Sequence, residues 1–375
     1  MRKGLSLFIA VVLILITLGI LMLASASSTH YEDSTYFWKR QLCWLALSLC
    51  MAAIAMRFDY HFYQKLVIPI ALLSVFLLIL VRIPGIGSSI NGSWRWLSIG
   101  PLNIQPSEIS KPAIIMLFAW WLARNQRRID EFKRGIIIPF AMLACFVLPI
   151  IVEPDFGTTM LVSFVAVFMM FLGGVPIIPL LATGLSGLLA VVFMIFQNPE
   201  RMSRILAFLD PQKYEQDKAW QLINSLRAFA SGNLGGVGFG NSMQKYDYLP
   251  EAHTDFIFSI IGEELGLVAT LLVLLLFVLI FLFGLRIAFG ARDDFGRFMA
   301  FGITLMVTMQ ALINFAVVTG CVPTKGLALP FISYGGSSLL ISSVMIGMLL
   351  NIAHVGARSP ASASRNLFKD RARKV

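Results

Sequence analysis

Of the 375 residues, 58% are apolar and 13% charged, and the mean hydropathy is +0.80. Soluble domains average about 45–50% apolar and about 25% charged, so this composition describes a polytopic helical membrane protein and excludes secreted disulfide scaffolds, disordered chains and ordinary cytosolic enzymes. The formal net charge of +10 is not a nucleic-acid footprint, because the basic residues stand at the ends of apolar runs and not on one polar face with interleaved aromatics.

A charge at mid-bilayer costs about 2.5–3.5 kcal/mol, and about 20 residues cross the hydrocarbon core. Charge-free runs therefore mark the spans. Ten are predicted, near residues 5–26, 41–57, 66–82, 107–123, 136–152, 157–173, 176–196, 255–285, 298–319 and 337–355. The first ends in Ala24-Ser25-Ala26-Ser27 behind Arg2-Lys3, but its apolar run is too long for a signal peptide and nine spans follow, so it reads as an uncleaved helix. Spans two to four are short. The run from Phe156 to Pro199 holds 44 residues without a charge, enough for two crossings with a turn at Gly173-Gly174-Val175-Pro176.

With the N-terminus inside, eighteen of the 30 Lys and Arg fall in inner segments and five in the short outer loops. This asymmetry places both termini in the cytoplasm. The long loop 198–254 and the Gly/Trp-containing loop around 83–106 then face outward. The chain reads as one membrane domain over 1–375, with 356–375 a basic cytoplasmic tail. Neither an internal repeat nor a pair of interrupted spans suggests a secondary transporter.

The cysteines Cys43, Cys50, Cys145 and Cys321 lie inside apolar runs, unpaired in spacing, and are expected to be small core residues. The four histidines are scattered without ligand spacing, so no structural metal is expected. The Gly-rich stretch Ser231–Asn241 follows no strand and lacks the P-loop Lys-Ser/Thr, so it is not a nucleotide site.

Polar groups in a membrane bundle are costly unless paired or wetted, and they mark candidate sites. Glu108 and Lys111 are one helical turn apart at the start of span four and can pair, either as a structural ion pair or as the lining of a polar cavity. Glu153-Pro154-Asp155 forms a very short outer turn in which Asp155 or Thr158 can cap the next helix, or in which two carboxylates can orient a cation or a sugar hydroxyl. Asp255 enters span eight from outside, beside Phe256, Ile257 and Phe258. It is either a helix cap or a carboxylate whose apolar setting raises it toward general-base range. The segment Pro323–Ser338 is apolar enough to be buried yet too rich in Gly and Pro for a simple helix, and such backbone needs protein or a wet cavity around it. Arg40 in Phe37-Trp38-Lys39-Arg40-Gln41 and Arg95 in Trp94-Arg95-Trp96 are interfacial anchors or phosphate contacts.

The motifs FWKRQ (37–41), NGSWRWLSIGPLNIQPSE (91–108), EPDFGTT (153–159), LPEAHTDFIFSIIGEELG (249–266) and PTKGLALPFISYGGSS (323–338) resemble, in this order and over essentially the whole chain, the SEDS family of shape, elongation, division and sporulation proteins. CVPTKG at 321–326 is similar to the division-type branch, with the rod-elongation branch as the alternative. The resemblance implies a ten-helix, all-α peptidoglycan glycosyltransferase of the bacterial inner membrane, at the division septum, with its active site facing the periplasm. It would polymerise lipid II, the undecaprenyl-pyrophosphate-linked disaccharide-pentapeptide, with a class B penicillin-binding protein and other divisome membrane proteins as partners. It also implies that Asp255 is the essential acidic residue, and that the family's conserved arginines, ion pair and turn acid fall on Arg40, Arg95, Glu108, Lys111 and Asp155.

A glycosidase needs a second acid to protonate its leaving group, whereas a pyrophosphate departs as an anion, so one base plus cations suffices. Asp255 is the expected base, and Arg40, Arg95 and Lys325, or a divalent Mg or Mn ion, the expected stabilisers of the pyrophosphate. The rival readings are a flippase for the same lipid and a scaffold for the transpeptidase.

Overall fold

The computed structural model describes residues 2–27, 36–90, 93–100, 102–246, 249, 252–324 and 326–357. The tail beyond 357 and Lys325 lie outside the described residues. Helices stand at all ten predicted places: α1 Arg2–Ala26, α2 Tyr36–Arg57, α3 Tyr60–Leu80, α4 Pro106–Asn125, α5 Ile138–Val152, α6 Phe156–Leu172, α7 Ile177–Phe196, then, after two short helices α8 Pro199–Leu209 and α9 Trp220–Gly232, α10 Ile257–Phe289, α11 Asp294–Val318 and α12 Gly336–Ala357. Eight of the ten are long and apolar enough to cross a membrane by composition alone. The other two are α6, with 17 residues, and α4, whose Glu108, Lys111 and Arg124 lower its hydropathy.

The position of α4 in the bundle explains that composition. It packs against α3, α5, α6, α11 and α12, and most of its length is buried, so its charges meet protein and not lipid. Helix α11, the most deeply buried of the candidate spans, packs on it and shares the centre of the bundle. Helix α7 lies at the opposite extreme, with Ile178, Leu181, Phe193 and Phe196 all facing outward. Helices α2 and α12 approach closely because a Cβ on Gly347 would stand 2.4 Å from the Ala52 carbonyl oxygen, so only glycine permits the contact. At the end assigned to the cytoplasm, Asn351 of α12 accepts from the Tyr60 amide at 2.9 Å and donates to the Met56 carbonyl at 2.8 Å, tying the α2–α3 turn to α12.

The four cysteines are not core residues. Cys43, Cys50, Cys145 and Cys321 all face outward from the bundle. Lipid-facing surface is as apolar as the interior, so an apolar run does not distinguish the two.

Two departures from simple spans occur at the opposite end. The loop after α3 forms an antiparallel sheet of β1 Gly87–Ile90, β2 Ser93–Ile99 and β3 Leu102–Ile104 in the order β1-β2-β3. Alternation along β2 turns Arg95 and the buried Leu97 to one face. In addition, α10 is interrupted at Gly266, whose φ is +75°. A Cβ there would lie 2.4 Å from the Gly236 nitrogen, because the Gly-rich loop after α9 presses against the break.

That loop satisfies the broken backbone. Val237 N donates to Glu263 O at 2.9 Å, Gly238 N to Glu264 O at 3.0 Å, and Leu267 N to Asn233 O at 2.9 Å. Its side chains complete the clamp. Lys245 donates to the Glu264 carboxylate at 3.1 Å, both essentially fully buried, and Ser25 of α1 donates to the same carboxylate at 2.6 Å. Glu263 accepts from the Ser242 hydroxyl and from Met243 N. Removing one partner of such a buried pair costs about 3–5 kcal/mol.

Gly266→Ala would force a left-handed φ and a backbone clash, whereas a Cβ on Gly184 of α7 meets nothing within 4 Å. Thermal unfolding in detergent should show a loss of about 1–3 kcal/mol for Gly266→Ala and no resolvable change for Gly184→Ala. Equal melting temperatures for the two variants would contradict the clamp.

Candidate active site

Two non-helical segments meet at the end of the bundle opposite the termini. One, residues 252–256, leads into α10; the other, residues 319–335, joins α11 to α12. Tyr334 N donates to His253 O at 3.0 Å, and Ser333 Oγ donates to Thr254 O at 2.6 Å while accepting from Leu329 N at 2.7 Å. Phe37, in the first turn of α2, stacks over this junction with its ring 4.7 Å from His253 and 5.1 Å from Tyr334. Arg40, one turn further along α2 than Phe37, is half-buried.

Asp255 sits half-buried at this junction. The N-cap of α10 is Phe256, so Asp255 stands one residue ahead of the cap. Its carboxylate lies against the backbone of the second segment: a Cβ on Gly326 would stand 2.6 Å from Asp255 Oδ2. On the other side of that segment, Leu327 packs on Gly157 of α6, where a Cβ would lie 2.9 Å from Leu327 Cγ.

The remaining predicted residues form the walls. Glu108 and Lys111 pair at 2.6 Å, 6% and 0% exposed, and Lys111 also donates to Gln310 Oε1 of α11 at 2.9 Å. Asp155 caps α6 by accepting from Thr158 N at 3.1 Å, and it accepts from Gln105 Nε2 at 3.2 Å and Ser107 Oγ at 3.1 Å, linking α6 to the start of α4. Arg95 reaches from β2 to donate to the carbonyls of Glu153 and Pro154, each at 2.7 Å. The structure thus places Asp255 at the junction and Arg40 one turn along α2 from the Phe37 that packs on it, while Arg95 and Asp155 fix the neighbouring turn and Glu108–Lys111 lies behind it.

A groove of about 430 Å3 opens between α6, α8 and α11, lined by Met160, Leu312, Ile313 and Val317 and closed at one side by Pro323, Thr324 and Leu327. Its surface is almost wholly apolar except for Arg201 and Arg204 of α8, and the Arg201 guanidinium stands 4.7 Å from the centre of the Phe156 ring. Sequence reasoning did not find these arginines, because basic residues in a long outer loop carry little topological weight. It also missed Gln310 and Asn314 of α11, single amides in a run read only as a span. The signal was present: an amide inside an apolar helix is expensive unless satisfied.

Among the described residues no three His, Cys, Asp or Glu side chains converge as a ready-made metal site.

Glu153 is the least satisfied group of the site. It is 0% exposed, and neither carboxylate oxygen has a hydrogen-bond partner among the described residues. Burial, reinforced by Asp155, pushes its pKa from 4.5 up to about 8 against the pull of Arg95 and Arg82. The folded protein therefore holds a proton that the unfolded chain releases. Stability falls as pH rises from about 4.5 toward about 8, and the full loss is present above that. Glu153→Gln should raise the melting temperature little at about pH 5 and progressively more up to about pH 8.5; a difference independent of pH would contradict a protonated Glu153.

Comparison with known proteins agrees with this architecture. The cell cycle protein family of FtsW, RodA and SpoVE matches residues 5–357. Among curated relatives, the probable peptidoglycan glycosyltransferase FtsW of Trichlorobacter lovleyi is 41% identical, covering 91% of each chain. The probable peptidoglycan glycosyltransferase FtsW of Legionella pneumophila is 40% identical, covering 91% of this chain and 88% of its own. Among solved structures, a chain described under "Structural coordination of polymerization and crosslinking by a peptidoglycan synthase complex" superposes with a TM-score of 0.78 at 26% identity, covering 94% of this chain and 98% of its own. Rod shape determining protein RodA of Thermus thermophilus gives 0.71 at 26% identity, covering 94% and 97%. With its multi-pass helical bundle and its motifs gathered at one end, the chain belongs to the FtsW, RodA and SpoVE family of cell cycle proteins.

Proposed function

We propose that this chain is a peptidoglycan glycosyltransferase of the FtsW type. It polymerises lipid II at the periplasmic face of the inner membrane, at the division septum, together with a class B penicillin-binding protein and other divisome membrane proteins. The observation that carries the reading is a shared wall. Val322, Pro323, Thr324 and Leu327 line the apolar groove, and from the same segment Gly326 lies against the Asp255 carboxylate. An apolar groove with arginines at its mouth suits a polyprenyl chain attached to a pyrophosphate, and the wall brings that pyrophosphate toward a carboxylate.

In the reaction, the acceptor sugar's 4-hydroxyl attacks the anomeric carbon of the donor. Asp255 takes the hydroxyl proton as the new C–O bond forms. The bond from the anomeric carbon to the pyrophosphate breaks, the configuration inverts from α to β, and the lipid pyrophosphate departs as an anion. Arg201 and Arg204 at the groove, with Arg40 and Lys325 assigned from their motifs, stabilise the charge that develops on it. Arg95, Asp155 and the Glu108–Lys111 pair act through architecture, holding the turn and the helices that form the walls. A flippase needs polar groups along a path across the membrane, whereas Asp255, Asp155, Arg95 and Arg40 gather at one end of the bundle.

The test is lipid II polymerisation by the purified protein with its cognate penicillin-binding protein. Wild type should form glycan strands, and Asp255→Asn should lose about 10²–10⁴-fold in rate, the usual contribution of a positioned base. A folded Asp255→Asn protein that polymerises normally would remove the base assignment. The double substitution Arg201→Gln and Arg204→Gln should raise KM for lipid II more than it lowers kcat; an unchanged KM would remove the groove from the substrate path.

A further inference from the structure

Asn314 and Gln310 lie one turn apart on α11 and are 1% and 2% exposed. Asn314 Nδ2 donates to Asp255 O at 2.8 Å and to Leu327 O at 2.7 Å. An amide NH2 has two hydrogens, and both are committed here. Because both acceptors are backbone carbonyls, only the nitrogen of the amide can face them. Gln310 Nε2 donates to Ala328 O at 2.7 Å, while its Oε1 accepts from Lys111, which is itself paired with Glu108. A continuous chain of polar contacts therefore runs from the α4 ion pair through α11 to residues 327–328, with Asn314 spanning from there to Asp255.

The carbonyls of Asp255, Leu327 and Ala328 lie outside any helix or strand, in segments that no backbone ladder holds together at these points. One side chain bridges the carboxylate-bearing segment and the groove wall directly. We infer that Asn314 is a positioning residue for the reaction: it sets the distance between Asp255 and the 326–328 wall, so that base and lipid-linked donor meet, and Gln310 of α11 ties the same wall to the α4 ion pair. This rests on the reading of Asp255 as the base and of the wall as part of the donor site.

The experiment measures kcat and KM for lipid II, with melting temperatures, for wild type, Asn314→Asp and Gln310→Glu, each as the full chain with its penicillin-binding protein. Asn314→Asp keeps the side chain's shape but turns oxygens toward two carbonyls. Gln310→Glu keeps the acceptor for Lys111 and loses the donor to Ala328. The expected result is a kcat about 100-fold lower for Asn314→Asp, the scale of an ångström of misplacement, and about 10-fold lower for Gln310→Glu, with KM within about threefold of wild type in both. Should Asn314→Asp fail to fold, Gln310→Glu decides the matter alone. Wild-type kcat in the folded variants overturns the inference, as does a rise in KM at unchanged kcat or a loss of turnover that tracks the folded fraction. If the partnered wild type itself makes no polymer, the functional reading falls, and this inference with it; if wild type polymerises and the variants do too, the positioning role alone falls.

Discussion

Backbone that leaves a helix inside a membrane bundle has no water to meet its N–H and C=O groups, and the protein must supply every partner. The end of the bundle opposite the described termini meets that requirement three times, each time with groups from another element. The Gly-rich loop after α9 satisfies α10 at its break. Arg95 satisfies the carbonyls of the α5–α6 turn. Asn314, Gln310 and Ser333 satisfy the segments around Asp255 and Leu327. The ion pairs Glu108–Lys111 and Lys245–Glu264 follow from the same constraint, since each lies beside irregular backbone and is tied into its hydrogen bonding.

The constraint shapes function as well. The irregular segment after α11 brings the groove wall against the Asp255 carboxylate. In the central pair α4 and α11, Gln310 and Asn314 carry the polar contacts to the segments around Asp255 and Leu327, and Lys111 donates to Gln310. Helix α7, with few contacts to the rest, leaves the groove between α6 and α11 open toward its α8 arginines. A rigid side bearing Asp255 thus faces a loosely covered side that suits a bulky lipid.

The ten helices were legible because each stands in a charge-free run, and the long charge-free stretch from Phe156 did hide a turn at Gly173–Pro176. The Glu108–Lys111 pair and the cap at Asp155 were legible from helical spacing. The break at Gly266 was not, because the apolar run continues through it and the cause is a loop thirty residues away pressing on its backbone. The β-sheet around Arg95 was not legible, because Ser93–Ile99 does not alternate cleanly: Arg95 shares a face with the buried Leu97. The outward placement of the four cysteines was invisible to hydropathy, which is the same for lipid and core. Arg201, Arg204, Gln310 and Asn314 escaped because topology counting discards the first two and span detection absorbs the others.

The most direct measurement is the structure of the Asp255→Asn protein with lipid II bound. The polyprenyl chain should lie between α6 and α11, the pyrophosphate at Arg201 and Arg204, and the donor sugar's anomeric carbon beside residue 255. A lipid seated elsewhere, such as the cavity between α1, α10 and α12 near Arg286, with its pyrophosphate remote from residue 255, would contradict this placement.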